Sequence, residues 1–522
     1  MDAKHQRQDL YDVAIVGFGP AGAVAAAMLG DAGFNVWVGD RLQEVYDIPR
    51  AIALDHEIMR IFQQIGIVDE VMPHTEPFTP SEYYGVDRQL IKRLTMIDKP
   101  YPLGYTPSIV FTQPPVEKAI RRKVASLGNV TVELGIEVTS VAQDAEAATI
   151  SVKRPQGDSG DIRARYVLGC DGARSLVRDE AGILLEDLDF DEPWLVVDVL
   201  VNEQGLAKLP KTSVQYCDPD RPCTLVIGPG NHRRWEISLK EGEDPLQAAT
   251  PERTWELLSP WLNPEDGELW RQASYRFHAL VADRWREGRI FIAGDAAHQQ
   301  PPFLGQGMCQ GLRDVANISW KLAAVLKGEV SGETAQALLD SYGEERKEHV
   351  SNLINRIKAI GSVICERDPI KARQRDAKLL AEAGGVVRDS PRQDVLPKLA
   401  GGMLSQTPHI AVGTIFPQPW MRKNGERLRF DELVGEGWLL VVDPAMSQPR
   451  LPMLNVVTVG AHGLLEEESI LSRWMNKNEC SAVLVRPDRY VFGAADNEVD
   501  LAGLLAEWQE RMGQTIATSI AV

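Results

Sequence analysis

The stretch "VAIVGFGPAGAVAAAML", Val13 to Leu29, restricts what this chain can fold into more than any other segment. An apolar, β-branched run meets Gly17, Gly19 and Gly22 in the spacing G-x-G-x-x-G and continues into an alanine-rich stretch; "NVWVGD" then follows, ending at Asp40. Strand, glycine turn, helix and second strand make a compact βαβ unit. Gly17 permits the tight turn, Gly19 lets backbone approach a pyrophosphate, and Gly22 lets helix and strand pack closely. The helix amino terminus offers unpaired N–H groups to phosphate, and Asp40 is placed to accept hydrogen bonds from an adenosine ribose. The fingerprint by itself serves NAD and FAD alike, so the choice between them must come from other segments.

A length of 522 residues exceeds one ordinary core and predicts about two to four domains. From about 185 to 284 the chain turns to short alternating segments such as "WLVVDVLV", "SVQYCD", "CTLVIGPG" and "RRWEISLK", which read as an antiparallel sheet. "RIFIAGDAAH" then returns to the buried-strand style, ahead of a helix from about 306 to 327. The pattern predicts a nucleotide-binding domain of residues 1–75, 106–184 and 285–365, into which a sheet domain of 76–105 and 185–284 is inserted. A helical linker, 366–405, and a small α/β domain, 406–522, complete the expected organisation.

A formal charge of -18 repels polyanions, and without a basic stripe nucleic acid is not an expected partner. No run approaches the roughly 18 to 20 apolar residues that cross a bilayer, and the polar start "MDAKHQRQDLYDV" is unlike a secretion signal, so no membrane partner and a cytoplasmic location are expected. The six cysteines are scattered, and the one close pair, Cys217 and Cys223 in "CDPDRPC", lacks the second pair of a zinc site. Buried free thiols and no metal are expected.

Two further segments ask for a nucleotide. In "YVLGCDGARSLVR", Asp171, Gly172, Ser175 and Arg178 follow a buried strand; in "RIFIAGDAAHQQPPFLGQGMCQGLRDVANISWKL", Gly294 and Asp295 follow a strand and Gly305-Gln306-Gly307 precedes a helix. At these residues the chain resembles the single-component FAD monooxygenases of the 4-hydroxybenzoate hydroxylase group. The nearest branch is that of 3-(3-hydroxyphenyl)propionate hydroxylases, on "PRAIALDHEIMRIFQQIGIVDEVMPHT", "CDPDRP" and "GQGMCQGLRDVANISWKL". The resemblance covers residues 10 to 350 well. It implies an α/β fold: a Rossmann-like FAD-binding domain with an inserted antiparallel-sheet substrate domain. The tail "VLVRPDRYVFGA" is similar to the C-terminal thioredoxin-like α/β domain of related phenol hydroxylases, without a C-x-x-C pair.

Carried over by position, the resemblance implies Gly17, Gly19 and Gly22 at the FAD pyrophosphate and Asp40, with Arg41 beside it, at the adenosine end. Arg50 and Gln113 would lie along the phosphate and ribityl chain, Gly294 and Asp295 at the ribityl hydroxyls, and backbone around Gly305, Gly307 and Met308 at the pyrimidine side of the ring. Asp171, Gly172 and Arg178 match a motif implicated in FAD and NAD(P)H contact. The chain departs from the pattern at Cys309, where the family often has asparagine, and at Asp40, where glutamate is commoner.

The implied activity is hydroxylation of a small phenol beside its hydroxyl through a flavin C4a-hydroperoxide, consuming oxygen and NADH or NADPH. A 3-hydroxyphenylpropionate-like acid is among the implied substrates. The helix opening at Gly307 aims its positive end at the flavin edge where charge gathers on reduction. The resemblance sets the Pro302 carbonyl near the phenolic hydroxyl as its acceptor. His298 and Tyr216 are side-chain candidates for the base, and Arg233 or Arg234 for a cation facing an anionic substrate. The Trp320 helix is expected to pack against the FAD fold. One dinucleotide fingerprint leaves NAD(P)H without a Rossmann domain of its own, and a homodimer is compatible with the tail. The alternative is a flavin reductase or dehydrogenase on the same fold, without oxygen insertion. A flavin halogenase would carry a W-x-W-x-I-P pattern, whereas Trp235 stands in "RRWEISLK".

Overall fold

The computed structural model describes residues 10–459 and 464–514, so the polar start lies mostly outside it. The strand Leu10–Val16 lies between Val36–Asp40 and Ser159–Gly169, parallel to both, in an eight-stranded sheet. A parallel sheet is covered on both faces, which is why Val13, Ala14 and Ile15 are fully buried. The helix Pro20–Asp31 follows the glycine turn at once, and its small side chains let Gly22 to Gly30 all be buried.

The inserted region builds a nine-stranded sheet around the long strands Leu185–Val201 and Gly267–Ala282, with His232–Ser238, Cys223–Ile227 and Ser213–Tyr216 alongside. It is mixed where the sequence predicts it antiparallel. Ser213–Tyr216 pairs in parallel with Ser81–Tyr84, and Asp389–Pro391 in parallel with Leu90–Thr95, because both neighbours arrive from distant parts of the chain. Alternation divides its faces. Val197, Leu225, Trp235 and Ile237 enter one apolar core, while Val196, Thr224, Arg234 and Glu236 face a cavity.

Two compact units emerge, the first comprising residues 10–97, 107–313 and 350–396, the second 98–106, 314–349, 397–459 and 464–514. This differs from the expected division in three places. Residues 98–106 join the second unit, where Gln418 donates from its backbone N–H to the Pro102 carbonyl at 2.7 Å and from Nε2 to the Leu103 carbonyl at 3.0 Å. Residues 314–349 join it through fully buried ion pairs: Glu345 meets Lys321 at 2.9 Å and Arg486 at 2.7 Å. The region 366–405, expected as a helical linker, holds the helix Pro369–Glu382, but the strand Asp389–Pro391 beyond it completes the nine-stranded sheet, so residues up to 396 group with the first unit.

Within the second unit, Trp438–Val442 runs parallel to Leu454–Thr458 and antiparallel to Ala482–Val485, which pairs antiparallel with Val491–Ala495. Trp320, expected against the nucleotide fold, packs here, edge-on to Trp438 with ring centroids 5.7 Å apart.

Candidate active site

One cavity in the first unit runs from the glycine turn to the polar face of the nine-stranded sheet. Gly19, Arg50, Gln113, Gly172, Gly294, Asp295, Pro302, Gly305, Gly307 and Met308 are among the residues that line it. The helices Pro20–Asp31 and Gly307–Leu326 open on it, the first with no side chain capping its N–H groups.

The glycines divide by what surrounds them. A Cβ on Gly22 would stand 2.0 Å from the Gly17 carbonyl oxygen, and one on Gly17 2.3 Å from the Cys170 carbonyl oxygen, so these two shape the turn itself. Gly17 also has φ of +101°, a region closed to most side chains. A Cβ on Gly19 or Gly307 would meet no protein atom within 4 Å. Both line the cavity, so bare backbone is presented to whatever fills it. This open cradle at two helix starts, with the Arg50 cation beside it, fits the pyrophosphate and ring edge of FAD. Gly19→Ala is therefore expected to leave the melting temperature of the FAD-free protein unchanged while weakening FAD binding roughly tenfold, the worth of a charge-assisted hydrogen bond; fluorescence titration with FAD checks this.

Several expected contact residues also tie the walls together. Asp40 accepts from the backbone N–H of Phe18 at 2.5 Å and of Leu42 at 2.7 Å, pinning the glycine turn to the second strand. Arg41 is exposed and lines no part of the cavity. Gln113 Oε1 accepts from the N–H groups of Arg50 at 2.8 Å and Ala51 at 2.6 Å, fixing the loop that carries the Arg50 side chain. Asp171 accepts from Ser175 Oγ and the Val177 N–H, and Arg178 donates to the Ala173 and Ala296 carbonyls. Of Asp171, Gly172 and Arg178, Gly172 alone lines the cavity, beside Cys170. Cys309 is buried with Sγ toward the Ala53 carbonyl, and burial pushes its thiol pKa up.

Of the base candidates, neither side chain enters the cavity. Tyr216 lies against Trp261 on the opposite face, since its neighbour Gln215 takes the cavity side and alternation sends the next residue across. His298 is 1% exposed and stacks on Trp285 at 5.4 Å. Pro302 does line the cavity, and its carbonyl accepts the Gly305 N–H at 2.7 Å, leaving one lone pair for a further donor. Arg233 donates to the Gly228, Gly230 and His232 carbonyls. Arg234 pairs with Asp198 at 2.7 Å and donates to the Pro49 and Arg50 carbonyls. Both arginines are thus committed to structure.

Other roles were not legible in the sequence. Gln306, in the turn before the long helix, donates to Asp55 at 3.2 Å and accepts from Arg313 at 3.1 Å, while Arg313 also pairs with Asp55 and Glu57, each at 2.7 Å. This buried network locks the helix tip that presents Gly307. Arg392 reaches the cavity wall, donating to Ser81 Oγ at 3.0 Å and the Leu304 carbonyl at 3.1 Å over the Phe78 ring. Glu236, 6% exposed, faces the cavity from His232–Ser238. Burial raises its carboxyl to about 7, against the lowering by Arg234. The alternation of "HRRWEIS", with Trp235 and Ile237 inward, was a signal for Glu236; nothing local marked Arg392.

A family model described as FAD binding domain matches residues 10–357. The "Probable NADH-specific resorcinol 4-hydroxylase" of Rhodococcus jostii (strain RHA1) is 36% identical over 95% of this chain and 94% of its own. The 3-(3-hydroxy-phenyl)propionate/3-hydroxycinnamic acid hydroxylase of Burkholderia cenocepacia (strain HI2424) is 30% identical over 97% of each. Among solved structures, the flavin-dependent monooxygenase PieE, in complex with FAD and substrate, covers 97% of this chain and all of its own at 20% identity with a TM-score of 0.79. Aklavinone-11 hydroxylase covers 96% of this chain and 99% of its own at 24% identity with a TM-score of 0.78, a likeness of fold. No helix among the described residues is long and apolar enough to cross a membrane. With glycine cradle, helix tips and cavity joined as described, the chain belongs to the FAD binding domain family and is an FAD-dependent aromatic hydroxylase.

Proposed function

We propose that this protein hydroxylates a meta-substituted phenol beside its existing hydroxyl, taking electrons from NADH and one oxygen atom from O₂. The observation that carries this reading is the continuity of one cavity, from the bare backbone at Gly19 and Gly307 to a sheet face with polar groups set among Val196, Val226, Phe277 and Phe303. Backbone at Gly19 and the helix behind it would hold the FAD pyrophosphate, Arg50 and Asp295 the linking chain, and the N–H groups at Gly307 and Met308 the ring edge; the chemistry that FAD would supply there is electron transfer from the nicotinamide to oxygen. The protein does the rest. Apolar walls exclude water, and the spare lone pair of the Pro302 carbonyl takes the phenolic O–H, which orients the ring and enriches its ortho carbon. The meta substituent follows the named substrates of the relatives, resorcinol and 3-hydroxyphenylpropionate, which share a meta-substituted phenol.

The second unit supports a thioredoxin-like reading, through its two parallel strands followed by an antiparallel pair and the helix Glu498–Arg511. No paired thiols stand there, since Cys480 is its one cysteine.

The test is NADH oxidation under ¹⁸O₂ with a panel of meta-substituted phenols. One labelled oxygen atom in the product is expected. NADH consumption with every phenol returned unlabelled would favour the reductase reading instead.

A further inference from the structure

The sheet face of the cavity carries a single carboxyl among the described lining residues, Glu236. It stands in register between Val196 and Thr224, well inside the sheet. Thr224 donates its hydroxyl to Gln215 Oε1 at 2.5 Å rather than to Glu236. The cations nearby are committed elsewhere. Arg234 is held by Asp198 and the Pro49 and Arg50 carbonyls, and Arg271 donates to the Pro49 carbonyl at 2.6 Å and to the Tyr275 hydroxyl. Among the described residues Glu236 has no hydrogen-bond or ion-pair partner. A carboxyl this deeply buried without a partner is costly, and such a group calls for an explanation outside the protein's own contacts.

We propose that Glu236, as carboxylate, accepts a hydrogen bond from a hydroxyl of the aromatic substrate, so that the site takes a 1,3-dihydroxybenzene in preference to a phenol whose meta substituent is itself a carboxylate. This rests on the reading of the cavity as the hydroxylase's substrate chamber. A dihydroxybenzene brings two O–H donors, one for the Pro302 carbonyl and one for Glu236. A carboxylate substituent at the same place would meet like charge in a medium of low dielectric constant, where repulsion is strong.

The charged and titratable groups around Glu236 are Arg234 on its own strand, Asp198 on Leu185–Val201, Arg271 on Gly267–Ala282 and Cys223 on the other neighbouring strand. Asp198 is ionised far below neutrality and the Cys223 thiol is pushed well up by burial, so neither changes charge between pH 6 and 8. Glu236, at about 7, does. Its acceptor form is the deprotonated one, so dihydroxybenzene binding tightens as pH rises through that value and levels off above it.

The measurement is ligand binding to the FAD-loaded protein without NADH, read as perturbation of flavin absorbance, for resorcinol, phenol and 3-(3-hydroxyphenyl)propionate. Resorcinol affinity in the unmutated protein is expected to rise about tenfold from pH 6 to pH 8, the ratio of ionised fractions for a group near 7. Glu236→Gln, nearly isosteric, is expected to bind resorcinol roughly tenfold or more weakly at pH 8, with a flat pH profile, and to bind phenol within about twofold of the unmutated protein. Unchanged resorcinol affinity in Glu236→Gln overturns the proposal. So does affinity in the unmutated protein that falls with rising pH, which would make Glu236 a donor, and so does equal weakening of phenol and resorcinol, which would make it structural. The pH titration of the unmutated protein stands even where the variant folds badly. Failure of the broader reading looks different: no phenol in the panel would bind or gain labelled oxygen.

Discussion

Asp198→Asn is expected to destabilise the first unit by about 3–5 kcal/mol, the usual result of leaving a buried charge uncompensated. Asp198 is fully buried, is hydrogen-bonded to His232 Nε2 at 2.7 Å and to Arg234 at 2.7 and 3.0 Å, and is ion-paired with Arg271 at 3.6 Å. Burial alone would raise its pKa, but the charge of Arg234 and the hydrogen bonds from His232 and Arg234 outweigh it and hold the carboxyl at about 2. The asparagine keeps the volume and removes the charge, so Arg234 and Arg271 are left facing each other in low dielectric. Both arginines also grip the Pro49 carbonyl, so the loop carrying Arg50 is expected to loosen with them and FAD to be lost more readily. Urea unfolding at pH 7, together with the FAD content of the purified variant, checks both effects. The sign of the pH dependence follows from the lowered carboxyl. The stability it contributes is present above its ordinary value of 3.8 and disappears as pH falls toward 2. Acid unfolding of the variant is then expected to be less steep over that interval. A variant as stable as the parent would refute this account of the cluster.

Gly22→Ala is expected to yield protein that purifies without yellow colour. The added methyl would lie 2.0 Å from the Gly17 carbonyl oxygen and 3.1 Å from its carbon, both backbone atoms with no side chain to give way. Relief requires the helix Pro20–Asp31 to withdraw from the strand Leu10–Val16, which moves the N–H groups that face the cavity. The cost of overpacking is about 1–3 kcal/mol or more, and it falls on the fold as well as on the ligand, so a lowered melting temperature should accompany the lost flavin. The contrast with Gly19→Ala is informative. There the same methyl meets nothing in the protein, and only the cofactor should register it. Flavin content and melting temperature, measured together on the two variants, separate a glycine needed for the turn from one needed for the ligand. Full flavin occupancy in Gly22→Ala would show that the helix yields more easily than the contact geometry indicates.

The candidate site was legible in unequal parts. The glycine turn, Gly294-Asp295 and Gly305 to Met308 were readable because each is a contiguous run whose backbone geometry is dictated within a few residues. The roles of Asp171 and Arg178 were not, since a match of motif does not say whether a side chain points at a ligand or ties its own loop, and here both tie the loop. Tyr216 was misplaced by one residue of strand register: on a pleated strand that difference is a whole face. His298 was a candidate base for its segment and its imidazole, yet the short pairing with Gly267–Ala282 turns it onto Trp285.

What the sequence alone determined is the nucleotide half: a strand, a turn only glycine can make, and a helix tip, all decided by steric limits between near neighbours. Tertiary structure decided the chamber beside it. Ser81, Gln215, Glu236 and Arg392 come from four separate stretches of chain and meet only when the nine-stranded sheet closes its register. Pairing between distant strands depends on the burial pattern of the whole sheet, so no local spacing announced which side chains would share that face or that a presumed linker would deliver an arginine to it.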